Sequence, residues 1–265
     1  MEKKVTLSPA EQMDIFIINL ARSVERRKKI SARLSAYNLS FSFFNAVEAS
    51  DNFVEKKRYK PLLRLFLRKN PLSWSTIACF ASHFRLWEKC VELNKPIFIM
   101  EDDAIPSQNF IEALELAGKN INKFECIRLY ATGGGTLRTI KELRPPFTIQ
   151  YSRKGTLGAV AYMISPEGAK KLISSASVWI DGPEIYMNNS YKHGVGCFIL
   201  HPTSVAHDLG ESTRTLLAKN SKNILLSLVK EIHCLYVKVR MFWFEKTKLP
   251  VILQESSGNE KISQY

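Results

Sequence analysis

Three consecutive acidic residues, Glu101, Asp102 and Asp103, follow a short apolar run and are the strongest indication of chemistry in the sequence. Like charges this close repel one another unless a cation or hydrogen-bond donors stabilise them. Carboxylates bind hard divalent cations such as Mg²⁺ or Mn²⁺, and such a cation would neutralise a diphosphate. The alternative is a solvated turn in which Asp103 caps the following helix. The cluster alone leaves both interpretations open.

Two further acidic residues are candidates for a general base. Asp181 follows the apolar residues 178–180, where partial burial would favour its taking a proton from a substrate hydroxyl. Glu184 lies three residues further on and is the second candidate. Asp-Gly-Pro is also a common turn sequence, so the pattern by itself favours a structural role for Asp181.

Several basic and imidazole side chains are candidates for binding phosphate or metal. Arg22 and Arg26 follow the first apolar run, where they would face either a nucleotide phosphate or solvent. His207 is a candidate for a further metal or phosphate contact. His83 lies in an apolar helical pattern and is by itself more typical of a buried helix histidine. The run Gly133 to Gly135 lacks the GxGxxG spacing, so we expect a mobile loop there.

The elements that must position these residues alternate between strand and helix patterns. Strands are predicted over 14–20, 41–47, 97–100, 126–130, 147–151, 159–164 and 197–200, and helices over 23–37, 77–93, 110–117 and 166–174. This alternation predicts an α/β domain with a mostly parallel central sheet. In such sheets ligands bind beyond the carboxyl ends of the strands, which is where the acidic cluster lies.

Composition excludes disordered and collagen-like proteins, since 45% of the 265 residues are hydrophobic and only 24% are charged. The net charge of +13 predicts an anionic partner. Five scattered cysteines without a CxxC pair indicate reduced, mostly buried thiols. No segment is typical of a signal peptide or a transmembrane helix, so we expect a cytoplasmic protein.

Two basic segments stand apart from the predicted domain core. Residues 51–70 carry a net charge of +5, and residues 214–248 carry a net charge of +6 with an apolar stripe of helical period. We therefore divide the chain into a domain over 1–213 and a basic amphipathic helical segment over 214–265. Lying on an anionic membrane surface is one interpretation of this segment; packing against the domain or a second chain is the other.

Six short motifs in the same order resemble glycosyltransferase family 25 enzymes of lipopolysaccharide biosynthesis over about residues 13–215. They are I-N-L-A-R-S at 18–23, F-F-N-A-V at 43–47, C-F-A-S-H-F-R-L-W at 79–87, E-D-D at 101–103, A-Y-M-I-S at 161–165, and the late Asp181, Pro202 and Ser212. The family's Gly-Glu-Ile-Gly before the helix cysteine is Ser75-Thr76-Ile77-Ala78 in this chain, and a common Gln is replaced by His207.

The resemblance implies a GT-A-like nucleotide-sugar-binding domain and an inverting transfer, typically of β-linked galactose. It also implies Mn²⁺ or Mg²⁺, held directly by Asp103, with Glu101 as a ribose contact or further metal ligand and His207 nearby. Asp181, or failing it Glu184, would be the catalytic base. The residues implied for binding the donor are Asn19, Arg22, Arg26, Ser82, His83, Glu101, Asp102 and Asp103.

The expected function is therefore transfer of galactose from UDP-galactose to a lipooligosaccharide core acceptor. UDP-glucose is the alternative donor, because one epimeric hydroxyl separates the two sugars and no motif distinguishes them. Nucleotidyl transfer would need a glycine-rich phosphate loop after the first strand, which the sequence lacks. A non-catalytic anionic-glycan-binding protein is compatible with the charge. Nucleic acid is not an expected partner, because no RRM, KH or zinc motif is present.

Overall fold

A computed structural model describes residues 13–133, 135–208 and 224–254, apart from the side chain of Leu225. The strands are β1 (Asp14–Asn19), β2 (Ser42–Asn45), β3 (Ile97–Glu101), β4 (Ala104–Pro106), β5 (Cys126–Arg128), β6 (Leu137–Glu142), β7 (Thr148–Ser152), β8 (Ala161–Ile164), β9 (Phe198–His201) and β10 (Val205–His207). The helices are α1 (Val24–Ser35), α2 (Pro61–Arg68), α3 (Trp74–Leu93), α4 (Phe110–Phe124), α5 (Pro166–Ser175), α6 (Pro183–Asn188), α7 (Ser190–His193), α8 (Ile224–Thr247) and α9 (Leu249–Gln254). Ser212, Gly134 and the proposed domain boundary after residue 213 lie outside the described residues.

Eight strands form one mixed sheet in the order β2-β1-β3-β8-β5-β9-β7-β6. The parallel pairs are β1–β2, β1–β3 and β5–β9, and the antiparallel pairs are β3–β8, β5–β8, β7–β9 and β6–β7. Six strands therefore run in one direction, and only β7 and β8 run in the other. Strands β4 and β10 pair separately. The predicted α/β class is confirmed.

Helices cover both faces of this sheet and bury two apolar layers. Phe98 and Met100 of β3 point into the layer with α1 and α4, whereas Ile97 and Ile99 point into the layer with α3 and α5. This alternation follows from the two-residue period of a strand. Because β3 is covered on both faces, its sequence reads as a continuous apolar run, and its first charged residue marks the sheet edge.

The structure differs from the sequence-based expectations at several element boundaries. Helix α4 continues to Phe124 instead of ending near Ala117. Gly118 lies inside this helix, where a Cβ would meet Met13 Cε at 3.5 Å. Strands β4, β6 and β10 were not predicted, because β4 and β10 have three residues each and β6 is a largely polar edge strand.

Helix α8 packs one side onto the domain and exposes the other. Met241 and Phe244 are buried, and Phe244 belongs to the same apolar layer as α4. At its start, Lys69 Nζ donates to Ser227 Oγ at 2.7 Å and so ties α8 to the end of α2. The predicted packing against the domain is therefore present on one helix face. Among the described residues, no helix combines the length and apolarity that a membrane span needs.

Candidate functional site

A cavity of about 200 Å³ opens where the parallel strands β1 and β3 end side by side. The loops after these strands and the start of α1 and α3 surround it. Its polar lining residues are Arg22, Ser23, Arg26, Ser75, Ser82, Glu101, Asp102, Asp103, His207 and Asp208. Sequence reasoning had named Arg22, Arg26, Ser82, His207 and the whole acidic cluster, and the structure brings them together here.

Asp102 is buried and held on both carboxylate oxygens. Asn19, the last residue of β1, donates from Nδ2 to Oδ2 at 2.7 Å, and Arg26 Nη1 donates to Oδ1 at 3.1 Å. Asn19 does not itself line the cavity. Its role in the structure is to fix Asp102, and the predicted contact between Asn19 and the donor stays a prediction.

Asp103 is the acidic residue with unused binding capacity. Its Oδ2 lies 3.1 Å from His207 Nε2 and 3.5 Å from Arg26 Nη1, whereas its buried Oδ1 has no hydrogen-bond partner among the described residues. Burial, and after it the charge of Glu101, raise the pKa of Asp103 above its ordinary value, and His207 partly offsets this. A buried carboxylate oxygen without a donor, facing a second carboxylate and an imidazole, fits a divalent cation.

The arginines around the cavity are positioned by the local fold. Helix α1 begins at Val24, directly after the turn that follows β1, so Arg26 in its first turn reaches back to the acidic cluster. Arg22 forms an ion pair with Glu48 at the rim. Arg33, two turns further along α1, donates to Asp208 Oδ2 at 2.7 Å and so supports the segment that carries His207. Sequence reasoning missed both Glu48 and Arg33.

Ser82 and His83 lie on α3 but face different surroundings. Ser82 Oγ accepts from the backbone N–H of Val47 at 2.9 Å and lines the cavity. His83 is fully buried behind it, with Nδ1 at 2.9 Å from the Tyr162 hydroxyl and Nε2 at 3.4 Å from Glu101 Oε1. His83 therefore acts on the cavity through Glu101, and the predicted direct contact with the donor stays a prediction.

The structure does not bring Asp181 or Glu184 to this cavity. Asp181 Oδ1 accepts from Arg64 Nη1 at 2.9 Å and from Arg68 Nε at 3.0 Å, and its Oδ2 accepts from Arg68 Nη2 at 3.1 Å. Glu184 lies in the first turn of α6, outside the cavity lining. Neither has geometric support as a base in this structure, and that role stays a prediction. The spacing of Arg64 and Arg68, one helical turn apart, was the signal that could have indicated their shared partner.

A cavity at the carboxyl ends of the strands is where open α/β folds bind their ligands, and the fold and site define an α/β protein of this kind. Residues 12–190 match the family model described as glycosyltransferase family 25 (LPS biosynthesis protein). The chain belongs to this family.

Two bacterial relatives agree with the family. The chain is 32% identical over 174 residues to the lipooligosaccharide biosynthesis protein lic2B of Haemophilus influenzae, an alignment that covers 59% of this chain and 61% of that protein. It is 23% identical to the lacto-N-neotetraose biosynthesis glycosyltransferase LgtE of Neisseria meningitidis over 79% of this chain and 78% of that protein. For the Haemophilus relative, the match thus spans about three fifths of its length.

Proposed function

We propose that this protein is a metal-dependent, inverting glycosyltransferase that transfers galactose from UDP-galactose to a lipooligosaccharide core acceptor. The observation that carries the proposal is the buried, donor-free Oδ1 of Asp103 at the carboxyl edge of the sheet, beside Arg26 and His207. The names of the relatives support the acceptor class, and the family resemblance supports galactose. UDP-glucose is the alternative donor.

Asp103 and His207 would hold Mn²⁺ or Mg²⁺, with Glu101 as a further ligand or a ribose contact. When bound, the cation would neutralise the negative charge of the leaving diphosphate. Asn19 and Arg26 keep Asp102 fixed beside this position, so that the loop after β3 does not have to reorganise. Arg22, which is exposed at the cavity rim, would exchange its ion pair with Glu48 for a phosphate oxygen.

The direct test is to incubate the purified chain with Mn²⁺, a lipooligosaccharide core acceptor and each of several sugar nucleotides, and to measure released UDP. We expect release with UDP-galactose, and a loss on the order of 10²-fold or more in Asp103→Asn because charge at the leaving group is removed. Asp14→Asn is the matched control, since Asp14 lies at the opposite end of β1 and, among the described residues, forms an ion pair with the exposed Lys95.

Two outcomes would contradict the proposal. Full Mn²⁺-dependent turnover in Asp103→Asn would remove Asp103 from the site. Binding of the core oligosaccharide without UDP release from any sugar nucleotide would favour the alternative class, a non-catalytic anionic-glycan-binding protein. A larger turnover with UDP-glucose than with UDP-galactose would replace the donor sugar and leave the reaction class unchanged.

We also propose that α8 attaches the enzyme to an anionic membrane surface, where a lipid-linked acceptor would lie. The outer face of α8, formed by Leu228, Ile232, Leu235, Val239 and Phe242, repeats at spacings of 4, 3, 4 and 3 and is exposed along its whole length. Residues 224–254 carry five basic and two acidic side chains. An apolar helix face accompanied by basic residues is typical of helices that lie in a membrane interface.

A further inference from the structure

Three side chains of different chemistry meet at the floor of the cavity. Cys79 and His83 are four residues apart on α3, so both project from the same side of the helix. Glu101 reaches them from the end of β3. One ligand atom from each residue, the thiol sulfur, a ring nitrogen and a carboxylate oxygen, lies within 4.8 Å of the other two.

The imidazole of His83 is aimed at this point by a buried hydrogen-bond chain. Its Nδ1 lies 2.9 Å from the Tyr162 hydroxyl, which also accepts from Trp87 Nε1 at 2.9 Å. Its Nε2 is buried, has no hydrogen-bond partner among the described residues, and faces Glu101 Oε1 at 3.4 Å. Histidines that bind metal typically use the other ring nitrogen in such an orienting hydrogen bond. A buried ring nitrogen without a partner is otherwise costly.

Cys79 differs from the other cysteines of the domain core. Burial raises the pKa of the Cys90 and Cys126 thiols to about 12, so these thiols behave as small apolar groups. Cys79 is only half-buried and lines the cavity together with Glu101. It is therefore reachable by an ion that enters from the cavity.

We propose that Cys79, His83 and Glu101 bind a thiophilic divalent transition metal, with Zn²⁺ as the best match. A thiolate, an imidazole and a carboxylate form a donor set that selects zinc over Mg²⁺, which takes oxygen ligands. On binding, the Cys79 thiol loses its proton to solvent and its sulfur forms the bond to the metal. Three protein ligands leave a fourth position, and it would face the cavity.

This site adjoins the Asp103 position, and it takes Glu101 as a zinc ligand in place of the further-ligand role that the proposed function allows it. Oε1 of Glu101 faces His83, whereas Asp103 lies two residues further along and faces His207. An occupied zinc site would fix the floor of the cavity.

The test uses Co²⁺ as a spectroscopic substitute for zinc on the full, metal-free chain under reducing conditions. We expect one equivalent of Co²⁺ to give a thiolate-to-cobalt charge-transfer band, and one equivalent of Zn²⁺ to remove it. Cys79→Ala should abolish the band, and Cys234→Ala should retain it, because Cys234 is a similarly half-buried cysteine on α8. Asp103→Asn should also retain it, which separates this site from the proposed diphosphate cation.

A melting curve of Cys79→Ala shows whether the variant is folded, and a half-buried helix position makes this the safest of the three ligands to change. Absence of the band in the unmodified protein would overturn the proposal and leave the contact between His83 Nε2 and Glu101 Oε1 as an interaction within the protein alone. Persistence of the band in folded Cys79→Ala would equally overturn it. Loss of the band in folded Asp103→Asn would show that the same ion also needs Asp103, and the proposal of a site formed by Cys79, His83 and Glu101 without Asp103 would be wrong.

Discussion

Two aspartates, the half-buried Asp103 and the buried Asp181, lie in opposite electrostatic situations. Asp181 uses both carboxylate oxygens in three hydrogen bonds to Arg64 and Arg68, and its side chain is 3% exposed. Asp103 Oδ1 has no hydrogen-bond partner among the described residues and lies next to the like charge of Glu101. Arg64 and Arg68 satisfy both oxygens of Asp181, whereas the described residues leave one oxygen of Asp103 without a donor.

This difference separates residues that hold the fold from residues that act on a ligand. Burial lowers the pKa of Arg64, and the charge of Asp181 opposes that shift. The charges of Arg64 and Asp181 therefore stabilise each other. The cluster joins α2 to the segment before α6. At the cavity, neighbouring side chains neutralise the charge of the acidic cluster only in part. This is typical of sites where a bound ligand supplies the missing interaction.

The largest expected effect is on stability, in Asp181→Asn. Removing one member of a buried ion pair leaves its partners uncompensated and costs about 3 kcal/mol. For a chain of this size, that corresponds to a melting temperature lower by roughly 6–12 °C. Asp103→Asn should show the opposite pattern, with the melting temperature unchanged or raised, because burial and Glu101 disfavour its charge. Calorimetry of the two variants and of the control Asp14→Asn measures the three melting temperatures.

The same variants test whether Asp181 is the catalytic base. A base would lower the rate of transfer while leaving UDP affinity and the melting temperature nearly unchanged, because deprotonating the acceptor is a transition-state task. If Asp181→Asn melts normally and loses only turnover, the structural interpretation is wrong and the base interpretation is restored.

An effect of similar size, confined to low pH, is expected on stability through His193. Burial, with smaller contributions from Lys192 and Arg128, lowers the pKa of His193 to about 4, against 6.5 when exposed. Its Nε2 donates to the Tyr186 carbonyl, and its Nδ1 accepts from the Val195 N–H, so both nitrogens are satisfied in the neutral ring. Like Asp181, it is a buried polar group satisfied within the protein.

The unfolded chain therefore takes up a proton below pH 6.5, whereas the folded chain does so only near pH 4. The contribution of His193 is fully present above pH 6.5 and is lost as the pH falls towards 4, by on the order of 3 kcal/mol. Urea unfolding of the unmodified protein and of His193→Gln at several pH values measures the contribution of His193 to the free energy of unfolding. Parallel profiles for the two proteins would show that His193 is not held neutral.

The strands that position the site were predictable because each of them is a continuous apolar run that ends at a polar residue. β1 ends at Asn19 and β3 ends at Glu101, and such a pattern marks both a buried strand and the edge of the sheet. That reasoning placed the acidic cluster correctly. Partners far apart in sequence were not predictable, since nothing local links Asp181 to Arg64 or His83 to Tyr162.

Asp181 shows why position after an apolar run was not enough to assign a role. The residues before it, Trp179 and Ile180, are buried, as expected. However, the neutralising charges come from α2, more than a hundred residues earlier, and the one-turn spacing of Arg64 and Arg68 indicates a shared partner without saying which residue it is. For Asp103 the like charges come from its own sequence neighbours and were visible from the sequence, whereas only the fold brings Arg26 and His207 beside it.

The smallest expected effect concerns the outer face of α8, an apolar surface that the rest of the described structure leaves exposed. Buried Met241 and Phe244 tie the helix to the domain, so cutting the chain before α8 would expose core surface and destabilise it. Point changes on the exposed side avoid this. Lys238→Gln with Lys246→Gln should weaken binding to anionic vesicles by about 2 kcal/mol, or roughly 30-fold, at about 1 kcal/mol for each basic residue near the surface.

Replacing Ile232, Leu235 and Val239 together by Ser should reduce vesicle binding further, because apolar area is withdrawn from the interface. Leu157→Ser is the matched control, since Leu157 is an equally exposed apolar residue away from α8. Co-sedimentation with neutral and anionic vesicles, at low and high salt, is the measurement, and we expect turnover on a soluble acceptor to be unchanged in all variants.

A different result would assign another partner to this face. If the unmodified chain does not bind anionic vesicles, and the triple variant instead changes a concentration-dependent oligomeric state, then the outer face binds another protein chain. The outer face of α8 would then still bind a partner, as we propose for Asp103, but that partner would be a protein chain and not a membrane.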